Sequence, residues 1–210
     1  MRFDPERHHR RSIRLKGYDY SQPGAYFITI CTQGRACLFG EVVDGEMRLN
    51  EYGHIVRRCW EEIPLHFPHA ELDTFVVMPN HVHGIVILTV GARHDVGARH
   101  DVGARHAVPL PHTEQFGKPV PGSIPTIVRS FKSATTRHIN ALRGTPGAPV
   151  WQRNYYEHIV RNEESLNRIR EYILTNPIRW AMDWENPHRE GVDSVDEWMN
   201  SFARREGHAR

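Results

Sequence analysis

No stretch of the 210-residue chain stays apolar for the about 18 residues that a membrane-spanning helix needs. The first residues, with Arg10, Arg11 and Arg14 among them, also lack the hydrophobic core of a secretion signal. A protein that stays in the cytoplasm and off membranes is therefore expected. Cysteine is scarce. Cys31, Cys37 and Cys59 are odd in number and contain no C-x-x-C pair, which argues against both a disulfide framework and a zinc knuckle and leaves reduced, partly buried thiols. A strong charge of one sign is missing too, because a net charge of +2 is too small to demand a nucleic-acid partner. What remains is an ordinary globular composition, 39% hydrophobic and 25% charged, in a chain long enough for one domain with a sizeable core.

The basic residues are nonetheless unevenly placed. Arg2, Arg7, Arg10, Arg11, Arg14 and Lys16 oppose only Asp4 and Glu6 at the start of the chain. Residues 1–20 thus form a basic arm suited to following a phosphate backbone, with a merely solvated terminus as the alternative. Farther on, Val90-Gly91-Ala92-Arg93-His94-Asp95 recurs as Val96 to Asp101 and in part as Val102 to His106. With no apolar layer to stack, the repeat reads as an expanded loop rather than a solenoid. Pro109, Pro111, Pro119, Pro121 and Pro125 extend that character, so an inserted loop of about 89–122 is expected.

Histidine is abundant, at 15 residues, and one pair stands out: His81-Val82-His83 within Met78-Pro79-Asn80-His81-Val82-His83-Gly84-Ile85-Val86. Alternate residues of a strand project from one face, so the two imidazoles can share a metal ion. Alone the signal is weak, since this histidine content predicts roughly one His-x-His by chance. Its setting adds weight. Residues 71–78 and 81–88 read as strands joined at the turn-favouring Pro79-Asn80, which fixes where the first histidine emerges.

Elsewhere, residues 25–32 have the β-branched and aromatic bias of a buried strand, and 37–43 with 46–49 form a hairpin about Asp44-Gly45. Asn50 caps a helix whose apolar positions are Tyr52, Ile55, Val56, Cys59, Trp60 and Ile63. Residues 124–142 carry Ile127, Phe131, Ala134, His138 and Leu142 at helical spacing, leaving Arg129, Lys132 and Arg137 available to phosphates. A last strand near 155–160 precedes a helix from Asn162, its N-cap, to Pro177. On that helix Tyr172 and Asn176 lie on nearly the same side as Ile169 and Ile173, so docking by the apolar stripe aims a phenol and an amide at the sheet. The order of elements predicts an α+β domain, a mainly antiparallel central sheet flanked by helices, over residues 21–182, with 183–210 as a C-terminal tail.

Three blocks, Phe75 to His83, Trp151 to Arg161 and Tyr172 to Pro177, resemble in order and spacing the REP-associated tyrosine transposases of the single-tyrosine HUH superfamily. The resemblance covers roughly residues 20–180. It implies the HUH fold, a ferredoxin-like or RRM-like sandwich, with His81 and His83 as metal ligands, Asn176 as the third ligand and Tyr172 as the nucleophile. It also implies cleavage of single-stranded DNA beside a hairpin, a 5′-phosphotyrosine intermediate, and magnesium or manganese as the metal. Zinc is an alternative that imidazole also suits. The chemistry accounts for these residue types. A cation on the non-bridging oxygens offsets charge as five-coordinate phosphorus forms, and an aryl phosphodiester conserves the bond energy of the cut strand. Each residue alone has a bland reading: an ordinary hydrogen-bonded histidine, a core tyrosine, an asparagine before proline. A noncatalytic hairpin-binding module and a metal phosphodiesterase that uses water stay open as alternatives, and so does the choice between monomer and homodimer.

Overall fold

The computed structural model describes residues 18–90 and 120–191. Arg10, Arg11 and Arg14 of the basic arm, the repeated segment from residue 91, and the chain from 192 onward lie outside the described residues. Strand β1 spans Gly24–Cys31 and leads into a small separate hairpin, β2 Gly40–Val43 and β3 Glu46–Leu49. Helix α1 (Glu51–Glu61) and the short α2 (Ile63–His66) follow, then β4 (Ala70–Val77) and β5 (His81–Leu88). After the insertion come α3 (Ile124–Arg143), β6 (Tyr156–Val160) and α4 (Glu163–Thr175). The main sheet is antiparallel throughout, in the order β4-β5-β1-β6, with helices on its faces: the expected α+β arrangement.

Strand alternation sorts the core into two. Tyr26, Ile28 and Ile30 of β1 and Val82 and Val86 of β5 face one side, where Val56 and Trp60 of α1 and Ile127 and Phe131 of α3 cover them. Gly84 belongs to that face, and a Cβ there would run into the Trp60 indole. The opposite face presents Phe27 and Ile85, against which α4 packs Ile169, Tyr172 and Ile173. His81 and His83, in phase with Ile85, share this second face.

Local signals explain most boundaries. The Asn50 side chain accepts a hydrogen bond from Gly53 N–H at the start of α1, and Asn162 accepts one from Ser165 N–H at the start of α4. Helix α3 ends at Gly144 in a left-handed conformation, φ 65°. Its buried face differs from the expected one. Thr135 and Ile139 point inward, whereas His138 and Leu142 are exposed. The Thr135 hydroxyl is satisfied by Phe131 O and by the Trp151 indole N–H, so a polar residue sits in the core at no net loss.

Helix α4 is tied to β4 by more than apolar contact. The β4–β5 register shifts between Leu72 and Phe75, and Asp73 within this irregularity meets Arg170 of α4. Arg170 Nε donates at 3.0 and 3.2 Å to the two carboxylate oxygens and Nη2 donates at 2.6 Å. The guanidinium beside it, with help from Thr74, holds the Asp73 carboxyl down at about 2. A carboxylate whose folded value lies below its ordinary 3.8 stabilises the fold above 3.8, and that contribution is lost as pH falls through about 2. Asp73→Asn should therefore destabilise the fold modestly at neutral pH, by no more than about 1 kcal/mol for a pair this open to solvent. Urea unfolding at several pH values should show the gap to wild type closing over that acid window; a gap unchanged at pH 2 would contradict the assignment.

Candidate metal and nucleophile site

The two histidines, Tyr172 and Asn176 converge at the end of the sheet where β5 begins. The imidazole centroids of His81 and His83 are 4.3 Å apart, and the Tyr172 hydroxyl lies 3.3 Å from His83 Nε2. The Phe27 ring stacks on His83 and meets Tyr172 edge to face, fixing both rings from below. Tyr172 is 6% exposed and Asn176 2%, so the site is closed to solvent.

Hydrogen bonding fixes which nitrogen of His81 is free. Asn80 Nδ2 donates to Arg35 O and Glu185 O, which leaves its Oδ1 as the atom 2.8 Å from His81 Nδ1. That oxygen can only accept, so Nδ1 carries the proton and Nε2 presents a lone pair. On the neighbouring ring Thr29 Oγ1 occupies Nδ1 of His83 at 2.8 Å, turning its Nε2 toward the same space. Asparagine before the first histidine, noticed in the sequence only as a turn former, is thus the group that orients it.

Asp183, placed by the sequence in a C-terminal tail, completes the cluster. It is 2% exposed, and its Oδ2 accepts from Asn176 Nδ2 at 2.6 Å and stands 3.9 Å from His81 Nε2. The contact also decides the orientation of the Asn176 amide: with Nδ2 committed to the carboxylate, Oδ1 is the free end. One ligand atom each from His81, His83 and Asp183 lie within 4.8 Å of one another. The segment bearing Asp183 is pinned by the Asn80–Glu185 bond and by Arg35, which pairs with Glu185 at 3.1 Å and donates to Trp184 O.

Acceptors without donors are the decisive property of this arrangement. His81 Nε2 and Asn176 Oδ1 are buried and have no hydrogen-bond partner, beside a buried carboxylate. A proton is a poor answer to this excess. Burial pushes His81 below the usual imidazole range, only partly offset by Asp183, Glu185 and the adjacent Asn176 amide, and burial followed by the His81 charge pushes His83 far below it. A divalent cation would satisfy all these atoms at once; the mixed set of two imidazoles, an amide oxygen and a carboxylate oxygen suits manganese and zinc, and suits magnesium less, since magnesium prefers oxygen ligands.

The remaining sequence-derived candidates lie elsewhere. Arg129 and Arg137 are exposed on α3, on the other side of the sheet from the cluster. Lys132 is not available to phosphate as expected, because its ammonium donates to the carbonyls of Gln152, at 2.9 Å, and Asn154, at 3.0 Å, and lies 5.3 Å from the centre of the Tyr155 ring. Three carbonyls at a loop end attract a cation more firmly than solvent does, Arg153 O being the third.

Fold and site together define a class: an antiparallel sheet with paired histidines on a central strand and a tyrosine on the helix packed over it. A protein of Haemophilus influenzae described as uncharacterized is 44% identical over 176 residues, covering 84% of this chain and 92% of that protein, and the chain belongs to one family with it. A second protein of that organism, named "Putative REP-associated tyrosine transposase", is 22% identical over 187 residues, 89% of this chain and 84% of that one. The solved structure of a REP-associated tyrosine transposase bound to a REP hairpin has the same fold, with a TM-score of 0.52 at 19% identity over 80% of this chain and 73% of that one. The resemblance drawn from the three sequence blocks is borne out by these two. No protein-family model matches the chain.

Proposed function

We propose that this protein is a divalent-metal-dependent endonuclease and strand transferase acting on single-stranded DNA beside a hairpin, with Tyr172 as its nucleophile. The observation that carries the proposal is the cluster of unpartnered buried acceptors on His81 and Asn176, next to Asp183 and within reach of the Tyr172 hydroxyl. His81, His83, Asn176 and Asp183 would hold the cation. Magnesium or manganese bound there supplies Lewis-acid stabilisation of charge on the scissile phosphate. The hairpin enters the proposal from the relatives, one named for REP elements and one solved with a REP hairpin.

The residues of the chain do the rest. Tyr172 is delivered by a helix docked through Ile169 and Ile173 and by the Arg170–Asp73 fork, so its oxygen is held on a rigid element, as in-line attack requires. Attack forms the tyrosyl oxygen–phosphorus bond and breaks the bond from phosphorus to the 3′ oxygen. The phenolic proton is lost and the departing 3′ oxygen gains one, leaving the 5′ phosphate on the enzyme. Reversal with a different 3′ hydroxyl rejoins DNA without ATP. Because every member of the cluster is buried, a phosphodiester enters only when α4 or the segment from Asn176 to Asn186 shifts.

Incubation of the full chain with a labelled hairpin oligonucleotide and manganese should give a covalent protein–DNA band on a denaturing gel, abolished by a chelator. Cleavage without a covalent band would replace the proposal by water-driven hydrolysis. Binding without cleavage under magnesium, manganese or zinc would replace it by a noncatalytic hairpin-binding module.

A further inference from the structure

The strongest feature outside the proposed active site runs along α3. From residue 120 to residue 156 the chain carries Arg129, Lys132, Arg137, Arg143 and Arg153 and no Asp or Glu, more positive charge than the net +2 of all 210 residues. These cations flank a groove of about 740 Å³ between α3 and the loop of residues 146–153. Two of them build it. Lys132 ties the loop end to the helix through the carbonyls of residues 152–154, and Arg143 donates to Asn140 Oδ1 and Ala148 O. The other three, Arg129, Arg137 and Arg153, line the groove, are exposed, and have no acidic partner among the described residues.

Three unneutralised guanidinium groups around one groove call for an anion of matching extent. Arg129 and Arg137 are eight residues apart on a helix, about 12 Å, which spans roughly three to four phosphates of one strand of a duplex. Position supports the same ligand. Gln152 N–H donates to Cys31 O, and Cys31 pairs with His81, so the loop wall of the groove is one strand away from the strand end bearing the cluster, while Arg129 and Arg137 lie on the opposite face of the sheet and a bound strand passes round that sheet end. The groove lining offers no exposed ring for stacking unpaired bases: its one aromatic residue, Trp151, is 7% exposed.

We propose that this groove grips the sugar-phosphate backbone of the double-helical stem of the substrate, while the adjoining single strand passes to Tyr172. The inference rests on the function proposed above and adds the surface and the part of the DNA that it reads. Phosphate is contacted by Arg129, Arg137 and Arg153, which position the stem without reading its sequence.

Fluorescence anisotropy with a labelled hairpin bearing a single-stranded flank, and with the flank alone, tests this on the wild-type chain and on Arg129→Ala/Arg137→Ala/Arg153→Ala. The expected result is a hairpin Kd at least about 10-fold weaker in the triple variant, a salt slope shallower by about 2–3, and an unchanged Kd for the flank alone. Melting temperature and manganese binding should match wild type. Equal hairpin affinity and salt slope in both proteins would overturn the inference while leaving the active-site proposal standing. Equal losses for hairpin and flank would overturn the stem in favour of single strand. A wild-type chain that binds no hairpin at any salt would remove the proposed function and the groove together.

Discussion

Tyr172→Phe should abolish the covalent protein–DNA adduct, lowering its yield on the order of 10³-fold or more, while hairpin binding stays as in wild type. The substitution removes one oxygen and nothing else. The ring keeps its edge contacts with Phe27 and its place in the cluster of Ile85, Ile169 and Ile173, so the fold and the DNA surface are retained. What is lost is the atom 3.3 Å from His83 Nε2 that, in the proposed reaction, forms the bond to phosphorus. Denaturing gels for the adduct and anisotropy for binding separate the two. Adduct at wild-type yield in the phenylalanine variant would exclude Tyr172 as nucleophile.

A graded loss of metal should follow substitution of the cluster. His81→Ala removes a proposed ligand whose Nδ1 is already locked by Asn80, and should weaken manganese binding on the order of 10²-fold or more. Asp183→Asn is subtler. It keeps the volume but removes the negative charge, and it no longer forces Asn176 to present Oδ1, since an amide partner tolerates either orientation. A 10- to 100-fold weakening is expected. Manganese titration followed by electron paramagnetic resonance reads both, with thermal melting of the metal-free proteins to confirm folding. If Asp183→Asn bound manganese as tightly as wild type, the carboxylate would be outside the metal site, and its role would be confined to packing.

Much of the site was legible because it is carried by local patterns. His81 and His83 declare a shared strand face by their spacing, and the N-cap Asn162, the stripe Leu166, Ile169 and Ile173, and Pro177 bracket the helix that carries Tyr172. The sheet and its helices follow from alternation and helical period in the same way. The missing parts are those that no periodicity encodes. Asp183 follows a one-turn 3-10 segment, Trp180–Met182, and is held at the cluster because its neighbour Glu185 contacts Asn80 and Arg35. Trp184, unusual in a solvated tail, was the available hint. The Asp73–Arg170 fork depends on an irregularity in β4 that simple alternation hides. On α3, the stripe through His138 and Leu142 gave way to Thr135 and Ile139 because a buried threonine could be paid off in hydrogen bonds from Trp151 and to Phe131.

The most direct test is diffraction at the manganese absorption edge from crystals of the full chain soaked in manganese chloride. One anomalous peak should appear among His81 Nε2, His83 Nε2, Asn176 Oδ1 and the Asp183 carboxylate, within about 2.0–2.5 Å of its ligands. A fully occupied peak elsewhere, with none in this cluster, would contradict the account.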